Sequence, residues 1–153
     1  MSDLTQADQI TARFDALLKS IAPPQRKALA REIGKKLAQS NRLRIQRQQN
    51  PDGTAFVQRK KRVKTKKGKI KRAAMFKKLR LARFMKQTAK SSGVEVGYSG
   101  QNAFIASRHQ FGKVGVVDKK KGIKHKYDQR ELLGFSDNDL QMVEEEILRV
   151  LSG

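Results

Sequence analysis

The 153-residue chain has no cysteine and only two histidines. Without cysteine there is no disulfide framework and no thiolate chemistry. No apolar run approaches the roughly 20 residues that a membrane-spanning helix needs. The first residues, MSDLTQADQI, lack the basic and then apolar segments of a signal peptide. We therefore expect a protein that is made and folds in a reducing cytoplasm and has no membrane partner.

The residues that most enzymes use are also scarce. His109 and His125 are sixteen positions apart with no paired carboxylate at ligand spacing, so we expect no metal site. Glu144, Glu145 and Glu146 are consecutive and point in different directions around a helix, so they cannot converge as a catalytic pair. No glycine-rich phosphate-binding loop is present. We expect no enzyme and no cofactor, and we interpret His109 as a hydrogen-bonding strand residue.

Positive charge is abundant and unevenly distributed. The formal net charge is +21. Residues 53–94 contain sixteen Lys or Arg and no acid, whereas residues 128–153 contain seven acids and two bases. Such a charge favours an anionic partner or acidic neighbouring subunits. We interpret the three consecutive glutamates as an acidic patch that is solvated or faces a neighbouring subunit. The separation of a basic stretch from an acidic end also raises the hypothesis of head-to-tail contact between copies.

The segment RKKRVKTKKGKIKR, residues 59–72, is the centre of the positive charge, and we predict a basic loop or loose hairpin over about 57–72. It could contact nucleic-acid phosphates, dock on an acidic protein surface, or be a solvated insertion. It lacks interleaved aromatic residues on which bases could stack. The candidate docking residues are Arg59, Lys60, Lys61, Arg62, Lys64, Lys66, Lys67, Lys69, Lys71 and Arg72.

The length and the apolar periodicity predict one α+β domain over residues 1–153. N-terminal helices are expected from Asp3 or Thr5 to about 20 and from Pro24 to about 49, with Gly34 a weak point in the second. NPDG at 50–53 predicts a turn, and TAFV after it an extended segment. A third helix is predicted over 73–90.

Over residues 94–98, apolar residues occur at every second position, which predicts a small antiparallel sheet. Its strands are expected at 94–99 and 103–109, joined by a turn at 100–102, with a further pair at 114–117 and 124–128. Ser136 or Asp137 is expected to cap a C-terminal helix. The residues predicted to be buried on that helix are Leu140, Val143, Ile147, Leu148 and Leu151.

Four stretches occur in an order that carries more information than composition: RIQRQQNPDGTAF (44–56), KLRLARFMK (78–86), IASRHQFG (105–112) and RELLGFSDNDLQMVEEEI (130–147). Together they resemble the phage virion morphogenesis family, which includes tail-completion proteins of temperate contractile-tailed phages. The resemblance covers the chain from about Ile33 onward. Glu131 stands where this family often has proline.

We interpret the motif residues as determinants of the fold. NPDGTAF is expected to reverse the chain and place Phe56 against the core, and RHQFG to end a strand with Phe111 packed and Gly112 allowing a sharp exit. The full set is Pro51, Gly53, Phe56, His109, Phe111, Gly112, Leu133 and Gly134.

The resemblance implies a noncatalytic structural protein that completes the head-proximal end of a contractile tail and assists head–tail joining. It implies a ring of about six copies, with a tail terminator, tail tube or sheath, and head connector as partners, and genome DNA within reach. Its place would be the virion tail or neck, assembled in the host cytoplasm, or a headless bacteriocin particle. The alternatives are a nonspecific nucleic-acid-binding protein acting through residues 59–72 and an assembly factor absent from the finished particle.

Overall fold

A computed structural model describes residues 15–59 and 74–153, and this part of the chain has the predicted α+β fold. Residues 15–20 are helical (α1). The other elements, in chain order, are α2 (Pro23–Gln46), β1 (Lys86–Lys90), β2 (Gly93–Gly97), α3 (Gly100–Gln110), β3 (Val114–Asp118), β4 (Ile123–Lys126) and α4 (Asp137–Ser152). The described residues form two separate two-stranded antiparallel sheets, β1–β2 and β3–β4, where one sheet was predicted.

The long helix and the turn after it follow the sequence prediction. Helix α2 begins with two prolines, whose fixed φ suits the first helical turn and whose missing N–H costs nothing there. It ends at Gln46, and a backbone hydrogen bond of 2.9 Å from the Gly53 N–H to the Asn50 carbonyl then closes the NPDG turn. Gly53 has φ +88°, which glycine adopts without strain. The chain reverses, and Phe56 is buried in the core as predicted.

The helix predicted over 73–90 is wrong. Successive turns occupy its first part, and its last five residues form β1. Phe76 has φ +63°, which interrupts a helix close to its predicted start. Met75, Leu79 and Met85 are still buried, so the apolar spacing was a signal of burial and not of helical structure. Pairing of β1 with β2, a contact that local periodicity does not report, decides the conformation.

The return strand predicted at 103–109, with a hairpin turn at 100–102, is also wrong, because this stretch is helix α3. Strand β2 itself is confirmed, but its hydrogen-bonding partner is the preceding strand, with Lys86 opposite Gly97 and Lys90 opposite Gly93. Ala103 and Ala106 within the stretch have a high helix propensity, which favours the helix locally. The β3–β4 hairpin is confirmed, with Val114 opposite Lys126.

Helix α4 begins as predicted, because Ser136 caps it. The Ser136 hydroxyl accepts a hydrogen bond from the Asp139 N–H at 3.1 Å, and the Asp139 carboxylate accepts one from the Ser136 N–H at 2.9 Å. Val143 and Ile147 pack against α2. Leu140 and Leu148, which were predicted to be buried, are instead 55% and 49% exposed.

Two apolar clusters form the core. One surrounds Ile45 and Leu132, which are fully buried, and the other joins α2 to α4 through Leu29, Ile33 and Leu37. Among the described residues, no helix is both long enough and apolar enough to cross a membrane.

Candidate docking surfaces

The motif segments meet at one junction inside the protein. The Asn50 side-chain oxygen accepts a hydrogen bond of 2.9 Å from the Glu131 N–H, which joins the NPDG turn to the segment before α4. At the same junction, a Cβ atom added to Gly134 would lie only 2.5 Å from Cγ of Pro51. Glycine is therefore required for this close approach. The contact supports a role of Pro51 and Gly134 in the fold.

A second set of hydrogen bonds ties the end of α3 to the same segment. The Gln110 amide donates to the Leu133 carbonyl at 2.8 Å and accepts from the Leu133 N–H at 3.0 Å. On α2, the buried Arg44 guanidinium donates to the Glu131 carbonyl at 3.0 Å and also to the side-chain oxygen of Asn41. Burial lowers the pKa of Arg44. These hydrogen bonds hold the junction together, although Nε of Arg44 is buried and has no hydrogen-bond partner among the described residues.

His109 lies on α3 and not on a strand. Its Nδ1 is 3.3 Å from an Arg130 guanidinium nitrogen, and its carbonyl accepts the Arg130 N–H at 2.7 Å. Its ring meets Phe76 and Tyr127 edge-on, with centroids 4.7 and 5.0 Å away. Burial, and then the positive charge of Arg130, lower the pKa of His109 to about 4. A neutral imidazole that accepts from arginine suits a structural role.

Phe111 does not pack as predicted. It follows the last residue of α3 and is 66% exposed, with the Lys113 ammonium 5.3 Å from the centre of its ring. Gly112 does allow the expected sharp exit, because its φ is +60° and an added Cβ would lie 3.3 Å from the Tyr127 carbonyl. The glycine therefore shapes the chain, while the phenylalanine is available on the surface.

The acidic patch is smaller than predicted. Glu146 is buried against α2, where it forms an ion pair with Lys36 and another with Arg149, the latter at 2.7 Å. The hydrogen bonds from Lys36 and then Arg149 lower the pKa of Glu146. Glu146 is thus an internal contact, which contradicts its assignment as a surface candidate. Glu144 and Glu145 are exposed and make no salt bridge with any described residue.

Of the basic docking candidates, Arg59 alone lies within the described residues, and it is exposed. The other nine lie outside the described residues. The structure also presents a basic surface outside the predicted docking segment, at the tip and outer face of the β3–β4 hairpin. Its lysines are all exposed: Lys119, Lys120, Lys121, Lys124 and Lys126. The clustering in DKKKGIKHK was the available signal.

No group of three or more potential metal ligands occurs among residues 15–59 and 74–153. The described surfaces that could recognise a partner are charged and apolar patches.

Comparison with known proteins gives matches over most of the chain. The model of the phage virion morphogenesis family matches residues 5–152. Tail completion protein S of Escherichia phage P2 is 40% identical over 139 residues, which cover 89% of this chain and 91% of that protein. No solved structure matches the chain.

Proposed function

Because the chain belongs to the phage virion morphogenesis family and is a structural component of phage tail assembly, we propose that it completes the head-proximal end of a contractile tail and assists head–tail joining. The observation that carries this proposal is the 40% identity to a tail completion protein along 91% of its length. Identity of that extent, with few residues left unmatched, supports a shared place in assembly. The protein acts without catalysis and remains in the tail or neck, assembled in the host cytoplasm.

The basic segment at 59–72 docks on an acidic surface of a neighbouring tail protein, such as the terminator, the tube end, the sheath or the head connector. Ten basic residues without an acid give a strong field that acidic surfaces complement. Arg59, at the start of the segment, is exposed and close in sequence to Phe56, which anchors the chain in the core. The segment therefore begins close to a residue that is fixed in the core. In this proposal the whole chain acts as one domain.

The test uses the phage or prophage that encodes this chain, with its gene deleted and supplied in trans. A variant with Lys61→Glu, Lys66→Glu and Lys67→Glu is expected to fold but to leave tails incomplete, as seen by electron microscopy and by particle titre. The matched control reverses three exposed charges elsewhere, Lys19→Glu, Lys27→Glu and Arg31→Glu. Normal tails from the segment variant, or complete particles from the deletion alone, would contradict the proposal.

Mass spectrometry of purified particles tests the location. The chain is expected in finished particles, and its absence would identify an assembly factor that leaves before completion.

Nonspecific nucleic-acid binding is the second candidate, and the net charge of +21 favours it. A gel-shift titration over a range of salt would then show tight DNA binding that weakens steeply as salt rises. Such binding, together with normal tails after neutralisation of the segment, would support this function in place of docking.

A further inference from the structure

The β3–β4 hairpin leaves an apolar and basic face uncovered. Its inner face packs closely, since a Cβ atom added to Gly115 would lie 2.9 Å from both Arg108 and Tyr127. The opposite face carries Val114 and Val116, which are 60% and 42% exposed.

Those two valines are paired across the strands with Lys126 and Lys124, so the lysines share their face. Val117, 62% exposed, lies next to Val116 toward the tip of the hairpin. A two-stranded hairpin is marginally stable in water unless another element packs on it. This hairpin therefore presents a surface with the properties of an interface.

Helix α4 has an uncovered face of the opposite charge. Its inner side, with Val143 and Ile147, packs on α2. Leu140, Glu144 and Leu148 follow one another at helical spacing on the outer side, and all three are exposed. No described element covers them.

The two faces complement each other in both apolar and charged character. On the hairpin, exposed lysines lie beside exposed valines, and on α4, the exposed Glu144 and Glu145 lie beside exposed leucines. Both faces are exposed in the same chain, so a hairpin does not cover the α4 of its own copy. We propose that the outer face of the β3–β4 hairpin docks on the outer face of α4 in a second copy of this chain. The proposal rests on the proposed structural role in tail assembly and names one of its contacts.

The geometry of such a contact determines how copies would assemble. The two surfaces differ, so a single contact is heterologous. After it, the copy that used its hairpin has a free helix face, and the copy that used its helix face has a free hairpin. Repetition of this contact from copy to copy gives a closed ring or an open filament, whereas two copies that make it in both directions about a two-fold axis close a dimer.

Charge reversal in the purified full-length chain tests the contact. Lys124→Glu with Lys126→Glu, and separately Glu144→Lys with Glu145→Lys, are each expected to weaken self-association at least about tenfold in analytical ultracentrifugation at moderate salt. The chain carrying all four changes is expected to regain association, because the opposite charges face each other again.

A control that reverses Lys27 and Arg31 on the exposed side of α2 is expected to associate like the parent chain. Circular dichroism melts confirm that each variant is folded. A parent chain that is monomeric at every concentration, association that neither reversal changes, or a fourfold variant that does not recover would overturn the proposal.

Disulfide trapping gives an independent measurement, because the chain has no cysteine of its own. A Val116→Cys chain mixed with a Leu148→Cys chain and oxidised is expected to give a mixed disulfide dimer. The same Val116→Cys chain mixed with an Arg31→Cys chain is expected to give almost none. Equal yields from the two mixtures would overturn the proposal.

The rival occupant of the α4 face is the basic segment of a neighbouring copy. Trapping that is lost in the Lys61→Glu, Lys66→Glu, Lys67→Glu background but unaffected by Lys124→Glu would identify that segment as the occupant and overturn the hairpin contact. Failure of the interface and failure of the proposed function are distinguishable. Normal tails from a chain that never self-associates remove the interface alone, whereas particles that never contain the chain remove the proposed function alone.

Discussion

Replacing Gly34 with alanine tests the packing of α2 against the β1–β2 hairpin. The sign of the change in the free energy of unfolding distinguishes two interpretations of this glycine. As an isolated weak point inside a helix, Gly34→Ala would stabilise the protein by about 0.5–1 kcal/mol. In the structure, however, the added Cβ would lie 2.7 Å from Cγ2 of Val94 and 3.2 Å from Oε1 of Gln87. Carbon atoms pack favourably at roughly 3.5–4.0 Å. The glycine is therefore where the strand approaches the helix.

The magnitude follows from these opposing effects. Overpacking of this kind costs about 1–3 kcal/mol, and Val94 cannot simply rotate away because its β-branched side chain has restricted rotamers on a strand. After the gain in helix propensity is subtracted, Gly34→Ala is expected to lower the free energy of unfolding by about 1–2 kcal/mol. Val94→Ala removes the clashing methyl groups, so the second alanine should cost much less in that background.

Urea unfolding of the parent, both single variants and the double variant measures the coupling between the two sites. The expected coupling is about 1–2 kcal/mol. Gln39→Ala, at an exposed position of the same helix, is the control and should change stability by less than about 0.5 kcal/mol. A Gly34→Ala chain that is more stable than the parent, or strict additivity with Val94→Ala, would refute the close packing inferred here.

Two other predictions concern the core and pH. Leu132 is fully buried, so Leu132→Ala should lower the free energy of unfolding by about 2–5 kcal/mol. Leu140→Ala, on the exposed face of α4, should lower it by less than about 1 kcal/mol. Equal losses for the two variants in urea unfolding would contradict the assigned burial. Because the folded-state pKa of His109 is lowered to about 4 from an ordinary 6.5, its contribution to stability is present above pH 6.5 and is lost as pH falls toward 4. With a discount for the partly exposed ring, that loss is about 1–2 kcal/mol. His109→Gln should flatten this part of the pH profile, and an unchanged profile would contradict the prediction.

Elements that local chemistry determines were predictable from the sequence. The two prolines at its first positions determine where α2 begins, and the Asn–Pro–Asp–Gly turn reverses the chain after it. The capping box of Ser136 and Asp139 determines where α4 begins. Elements that depend on a distant partner were not. The stretch after Met85 forms a strand that pairs with β2, whereas the stretch at 100–110, which was predicted to be that partner, is a helix.

The surfaces show the same division between local and distant information. Three consecutive glutamates do not reveal which of them faces α2, and the partner of Glu146 is Lys36, 110 positions away. Leu140 and Leu148 share the periodicity of buried residues, but α4 packs on one side only, so the pattern overestimates its buried face. The hairpin lysines, in contrast, were visible in the sequence and needed only the hairpin geometry to place them on one surface.

Contacts between copies of this chain cannot neutralise its charge. Each added copy brings the same net charge of +21, so a ring or filament becomes more cationic with every subunit, however well individual lysines and glutamates pair across the interfaces. In the proposed assembly, this pairing would set the geometry of the contact between copies, and an acidic partner outside the assembly would offset the accumulated repulsion. The basic segment at 59–72, which has no acid of its own, is the part of the chain best suited to that second contact. The two proposed contacts therefore have different roles: the hairpin and α4 would set the geometry between copies, and the basic segment would bind an acidic partner that offsets the charge.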